Sequence, residues 1–101
     1  MNSIILQTLK ELNDDLLNQL EEMSSLMLSK NDISTILEID QEEFKELLTD
    51  EKSEIYRRYQ AGRMKTITSV RKSVFDLAAN GSSPAQTEAM KIIRDSMMED
   101  L

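Results

Sequence analysis

Leu77-Ala78-Ala79-Asn80-Gly81-Ser82-Ser83-Pro84-Ala85-Gln86 holds one of the two glycines and the only proline of a 101-residue chain, so it decides where regular structure stops. Asn80 and Gly81 tolerate the left-handed conformation that closes a helix. Ser83 supplies an N-cap, Pro84 a residue suited to the first helical position, and Gln86 the capping-box partner three places on. The stretch therefore predicts a helix ending near Ala79 and a second one from Pro84 to about Met98. Working back, a helical pattern extends from about Glu54. At 100° per residue Tyr56, Tyr59, Ile67, Val70, Val74 and Leu77 gather within an arc of about 80°. Arg58, Lys65 and Lys72 fall nearly opposite. In the last helix Ala85, Ala89, Ile92, Ile93 and Met97 share a face, so the two helices are expected to fold as an antiparallel hairpin.

Toward the amino end, Ile5, Leu9, Leu12, Leu16 and Leu20 recur at three- and four-residue steps between polar residues, the pattern of an amphipathic helix over about residues 3 to 28. Serines at 24, 25 and 29 compete for backbone hydrogen bonds and predict a break. Ile33, Ile36 and Leu37 mark a two-turn helix, and Glu38-Ile39-Asp40 a tight turn. Asp40 is a credible N-cap with Glu43 placed to return the bond. The helix it opens, Gln41 to Leu48, buries Phe44, Leu47 and Leu48. Ile33, Leu37, Ile39, Phe44, Leu47 and Leu48 thus have the spacing of a helix-turn-helix core, with Ile39 plugging the angle between the helices. Thr49 to Ser53 offers several caps before the long helix.

Composition agrees. Aromatics are 4% and glycine and proline are scarce, which excludes sandwiches and barrels and leaves an all-α chain. The expected layout is a single helical domain over residues 1–101, with an amphipathic amino-terminal helix or helices (1–28), a helix-turn-helix (29–49) and the hairpin (54–98). With no cysteine and no histidine, disulfides, thiol and imidazole catalysis and Cys/His zinc sites are excluded. Acid pairs such as Asp14/Asp15, Glu21/Glu22 and Glu42/Glu43 point about 100° apart on a helix and share no ligand. Gly62 stands alone inside a helical pattern, so it forms no phosphate-cradling loop and suits close helix packing. The expectation is no catalytic residue, no metal, no cofactor and no small-molecule substrate. No apolar run spans a membrane, and the start lacks the basic region and cleavage site of a signal peptide, so a cytoplasmic protein is expected.

The net charge of −7 hides strong segmentation. Residues 1–54 sum to −10, residues 55–75 to +6 with no acid at all, and residues 76–101 to −3. The second helix of the helix-turn-helix exposes Gln41, Glu42, Glu43, Lys45 and Glu46, and carboxylates forfeit the counterion release that drives DNA binding. Phosphate contact is therefore assigned chiefly to the basic helix. The candidate set is Lys30, Lys45, Arg57, Arg58, Arg63, Lys65, Arg71 and Lys72. The competing reading pairs these cations with Glu42, Glu43, Glu46, Asp50, Glu51 and Glu54, in the same chain or a neighbouring copy. Tyr56, Tyr59 and Phe75 are aromatics able to stack on bases, but Tyr56 and Tyr59 lie on the apolar face and read as core; the methionines read as fillers of cores and interfaces. Ile5, Leu9, Leu12, Leu16, Ile92 and Ile93 supply apolar stripes for association with further copies.

The order of parts resembles that of the small terminase subunits of tailed bacteriophages. The residues that carry the resemblance are Asp32-Ile33 to Leu37-Glu38-Ile39, Phe44-Lys45-Glu46-Leu47-Leu48, Tyr56-Arg57-Arg58-Tyr59-Gln60-Ala61-Gly62-Arg63, Val70-Arg71-Lys72-Ser73-Val74-Phe75 with Asp76-Leu77-Ala78-Ala79-Asn80-Gly81, and Pro84-Ala85-Gln86. They cover about residues 27 to 98. In that family a helix-turn-helix precedes a helix with a Tyr-x-x-Gly-Arg or Tyr-x-x-Gly-Lys element, an Arg-Lys pair, and a glycine turn into a final helix. The resemblance implies a non-enzymatic factor of viral genome packaging that recognises double-stranded DNA, forms a homo-oligomeric ring and recruits the large ATPase and nuclease subunit in the host cytoplasm. The alternatives are a helical protein-interaction adaptor, or a helix-turn-helix transcription regulator with no packaging role.

Overall fold

Ser29, Asp40, Ser53 and Ser82 each place a side-chain oxygen on free backbone amides at the start of a helix, and these caps set the order of the fold. A computed structural model describes residues 14–101. It contains α1 (Asp14–Ser25), α2 (Lys30–Ile36), α3 (Gln41–Leu47), α4 (Glu54–Ala79) and α5 (Ser83–Glu99), with no strand among the described residues. The all-α expectation and the expected order of elements hold. Ile5, Leu9 and Leu12 lie outside the described residues.

Three of the helix ends share one device. After α1, Met27 NH donates to Ser24 O and Leu28 NH to Met23 O; after α2, Glu38 NH donates to Thr35 O and Ile39 NH to Ser34 O; after α4, Gly81 NH donates to Ala78 O and Ser82 NH to Leu77 O. Each is a paired closure of a helix end around a left-handed residue. Gly81 adopts that conformation freely at φ 99°, whereas Met27 (φ 61°) and Glu38 (φ 58°) carry a Cβ into it. The break expected among the serines falls at Ser25, as α1 ends there.

The described residues divide into two units, 14–66 and 67–101. In the first, Leu17 and Leu20 of α1, Ile33 of α2, Phe44, Leu47 and Leu48 at α3, and Ile55 and Tyr59 of α4 form one buried cluster. Leu16, Met23, Leu28, Leu37 and Ile39 pack on its edge. Each fully buried side chain of this size contributes about 1.5–3 kcal/mol of transfer free energy. The six expected helix-turn-helix core residues are all in this cluster or against it. Ile36, expected beside Ile33 and Leu37, is instead exposed, because α2 closes immediately after it and turns that side to solvent.

Asp40 caps α3 through one oxygen, which accepts from Glu42 NH and Glu43 NH at 3.1 Å each. Glu43 does not return the bond. Its side chain turns inward and leaves Oε2 buried without a hydrogen-bond partner among the described residues.

The crossing of α1 over α4 is unusually close. A Cβ on Gly62 would stand 2.8 Å from Ser24 Cβ, 2.9 Å from Ser25 N and nearer still to Glu21 O. Around that point Ser24 Oγ donates to Tyr59 O, and Thr66 Oγ1 donates to Ser25 O. Ser24 is fully buried, so its hydroxyl needs this partner. Gly62 thus acts in helix packing, as its isolation in the pattern suggested.

In the second unit the end of α4 and α5 make the expected hairpin. The cap of α5 is Ser82, not Ser83: its Oγ accepts from Ala85 NH at 3.3 Å, and Pro84 sits one place deeper than expected. Gln86 consequently leaves the capping box and donates from Nε2 to Ala78 O, tying α5 to the end of α4. The buried contribution of α5 is Ala85 and Ala89. Such small residues let helices approach closely, but they cover little neighbouring surface. Val70 (57% exposed), Leu77 (56%), Met90, Ile93 and Met97 stay open.

Candidate nucleic-acid interface

The basic run from residue 55 to 75 lies wholly on α4, and the structure sorts its cations by partner. Arg58 Nη1 donates to Glu21 Oε1 at 3.2 Å and to Asn18 Oδ1 at 2.9 Å, and its Nε to Glu54 Oε2 at 3.4 Å. Lys65 Nζ binds the other oxygen of Glu21. Glu21 therefore sits between two cations on a partly enclosed surface. The bond from Lys65, and then that from Arg58, hold its carboxyl below the ordinary carboxylate range, against a partial desolvation that works the other way. Desolvation also disfavours the Arg58 charge, but the bonds to Glu21 and Glu54 outweigh it and raise its proton affinity.

This arrangement corrects the expected placement of Arg58 and Lys65 opposite an apolar arc. The packed face of α4 in the first unit is Ile55, Tyr59, Gly62 and Thr66, which is rotated by about 70° from the arc expected from the whole helix. Arg58 and Lys65 flank that face and are bound to α1. Val70 and Leu77 of the expected arc are exposed.

The remaining candidates fall into three groups. Lys45 stands 3.9 Å from Glu42, and Arg57 3.5 Å from Glu54 while also donating to Lys52 O at 2.7 Å. Arg63 lies over the Tyr59 ring, 5.4 Å from its centroid, and donates to the Tyr59 hydroxyl at 3.3 Å, so it is half-buried and committed to packing. Lys30, Arg71 and Lys72 are exposed and make no ion pair with any described residue. The competing expectation of internal pairing is thus met for Lys45 by Glu42, and for Arg57 and Arg58 by Glu54. The principal acid, Glu21, was not among the expected partners. Its signal was present in the sequence: Leu17, Leu20, Glu21 and Ser24 occupy one stripe of α1, so Glu21 is an acid on a face that packs.

Arg71 and Lys72 do not stand alone. With Thr68 and Phe75 they line a shallow groove on one side of α4. The spacing 68, 71, 72, 75 is that of a single helix face, which reading the sequence for charge alone passes over. Phe75 is 38% exposed, and among the described residues no cation covers its ring, the cation-π contact there being that of Arg63 with Tyr59. Tyr59 is buried and Tyr56 half-buried, with Gln60 donating to the Tyr56 hydroxyl, so neither is available for stacking.

Of the residues expected to mediate association, Leu16 packs against the core of its own chain, Ile92 is half-buried, and Ile93 is exposed. Among the described residues no helix is long and apolar enough to cross a membrane, and no three acidic side chains group as a metal site. Comparison of the chain with protein-family models, with curated proteins and with solved structures gives no match.

Proposed function

We propose that this chain is a non-enzymatic, DNA-recognising factor of viral genome packaging, which assembles with copies of itself and recruits a large ATPase and nuclease subunit in the host cytoplasm. The order of its segments, set out above, suggests the role. The observation that carries the DNA contact is the division of the α4 cations. Arg58 and Lys65 are held by Glu21, whereas Arg71 and Lys72 stand exposed with no carboxylate partner among the described residues. An unpaired surface cation releases the counterions of a phosphate without first breaking an internal bond. The binding surface is therefore centred on Arg71 and Lys72, not on α3, where Glu42 and Glu46 face solvent.

The test is a pair of charge reversals assayed on viral packaging-site duplex at low salt. Arg71→Glu with Lys72→Glu is expected to abolish binding and leave the melting temperature unchanged. Arg58→Glu with Lys65→Glu is expected to lower the melting temperature, because it sets new carboxylates beside Glu21. Duplex binding that survives the first pair refutes this placement of the contact. A protein that binds no duplex and stays monomeric by light scattering refutes the role.

A second reading, an adaptor that binds only proteins, is favoured by the open apolar surface of the hairpin around Val70, Leu77, Met90 and Ile93. It predicts that neither reversal changes partner capture through that surface.

A further inference from the structure

Thr68, Arg71, Lys72 and Phe75 put a partly exposed aromatic ring at one end of a face of α4 that also carries a hydroxyl and two cations with no ion pair among the described residues. The cations account for attraction to a phosphate backbone, whether duplex or single-stranded. The ring does not fit a duplex. In paired DNA the faces of the bases are already stacked on one another, and a phenyl group lying among phosphates would displace their water and gain no partner. An unpaired base offers a free face, and stacking on an aromatic side chain beside a cationic track is how single strands are held without sequence preference.

We infer that this face of α4 binds single-stranded nucleic acid, with Phe75 stacking on an unpaired base while Arg71 and Lys72 hold the phosphates on either side and Thr68 donates a hydrogen bond to the backbone. The stripe is about 10 Å long, so it grips a short stretch of unpaired strand, such as a frayed end or a junction. The inference rests on the DNA-contact reading of Arg71 and Lys72, and adds to it the state of the strand that the site prefers.

The experiment measures fluorescence anisotropy of the full chain with three probes of equal length: an oligothymidylate, an abasic oligodeoxynucleotide and a duplex. The abasic strand keeps the phosphates and removes the stacking partner. Oligothymidylate is expected to bind about tenfold more tightly than the abasic strand. Phe75→Leu is expected to bring it down to the abasic level with no effect on the abasic strand itself, and Phe75→Trp to restore it. Arg71→Gln with Lys72→Gln is expected to weaken both strands and flatten their salt dependence. Equal binding of thymidylate and abasic strands, or a Phe75→Leu protein that folds by circular dichroism and binds thymidylate undiminished, overturns the inference. Tight duplex binding with no preference for thymidylate over abasic strand overturns it while leaving the packaging role standing. Binding to none of the three probes removes both.

Discussion

Replacing Gly62 by Ala separates local propensity from tertiary packing, because the two predict opposite signs. In an isolated helix the change is favourable by about 1 kcal/mol, since alanine forfeits less backbone entropy. In this fold the new methyl group meets Ser24 Cβ at 2.8 Å, Ser25 N at 2.9 Å and Glu21 O closer still. Two of those three atoms belong to the backbone and cannot rotate away. The helices must part, which places the cost at the upper end of the overpacking range, about 3 kcal/mol. Parting also strains the bonds from Ser24 to Tyr59 O and from Thr66 to Ser25 O, each worth about 1 kcal/mol and the first fully buried. Less the gain in propensity, the net destabilisation is about 4 kcal/mol, a large part of the roughly 5–15 kcal/mol that holds a domain of this size. A thermal melt followed by far-ultraviolet circular dichroism should show the midpoint falling by about 20 °C. An unchanged or raised midpoint would mean that the close crossing of α1 and α4 is not a feature of the folded protein.

Two further outcomes follow from the same surface and its turns. Glu21 has a lowered proton affinity in the fold, so its ion pairs stabilise the protein above the ordinary carboxylate value of 4.5 and are lost as pH falls through the lower folded value. Glu21→Gln should therefore melt below the parent at neutral pH and converge with it in acid; a gap of constant size at every pH would contradict the pairing. Glu38→Gly removes a Cβ from a left-handed position and breaks no recorded side-chain bond. It should stabilise by about 1 kcal/mol, read as a rise in denaturation midpoint at unchanged slope, and a fall would show that the turn between α2 and α3 needs more than its backbone angle.

The helix-turn-helix was legible because everything that defines it lies within some twenty residues. Ile33, Phe44, Leu47 and Leu48 repeat at helical spacing, and Asp40 announces the second helix two residues ahead of the amides it caps. The turn at Asn80-Gly81 was legible for the same reason, and the one-residue error at its cap arose because Ser82 and Ser83 are chemically equal candidates that only the geometry after Gly81 tells apart. The ion pairs were not legible. Arg58 and Glu21 are 37 positions apart, and periodicity orders side chains around a helix without saying which of them another helix will meet. The exposed Val70 and Leu77 show the same limit from the other side. Their apolar character is plain, yet the alanine seam of α5 leaves them open. The candidate site was largely legible: Arg71 and Lys72 by charge and Phe75 as an aromatic able to stack on bases, but Thr68, and the fact that all four share one face, only once the helix was in view.

The clasp between α1 and α4 joins residues 35 to 44 positions apart, whereas the contacts of the helix-turn-helix that it encloses are local. Closing a loop of that size draws on chain entropy before any packing energy is returned. During folding, α2 and α3 can therefore assemble within their own short segment, and the long α4 must swing back across α1 to complete the unit. Gly62 then matters for time as well as for stability. By letting the two backbones meet without a side chain to be moved aside, it clears the way for contacts between segments about 40 positions apart.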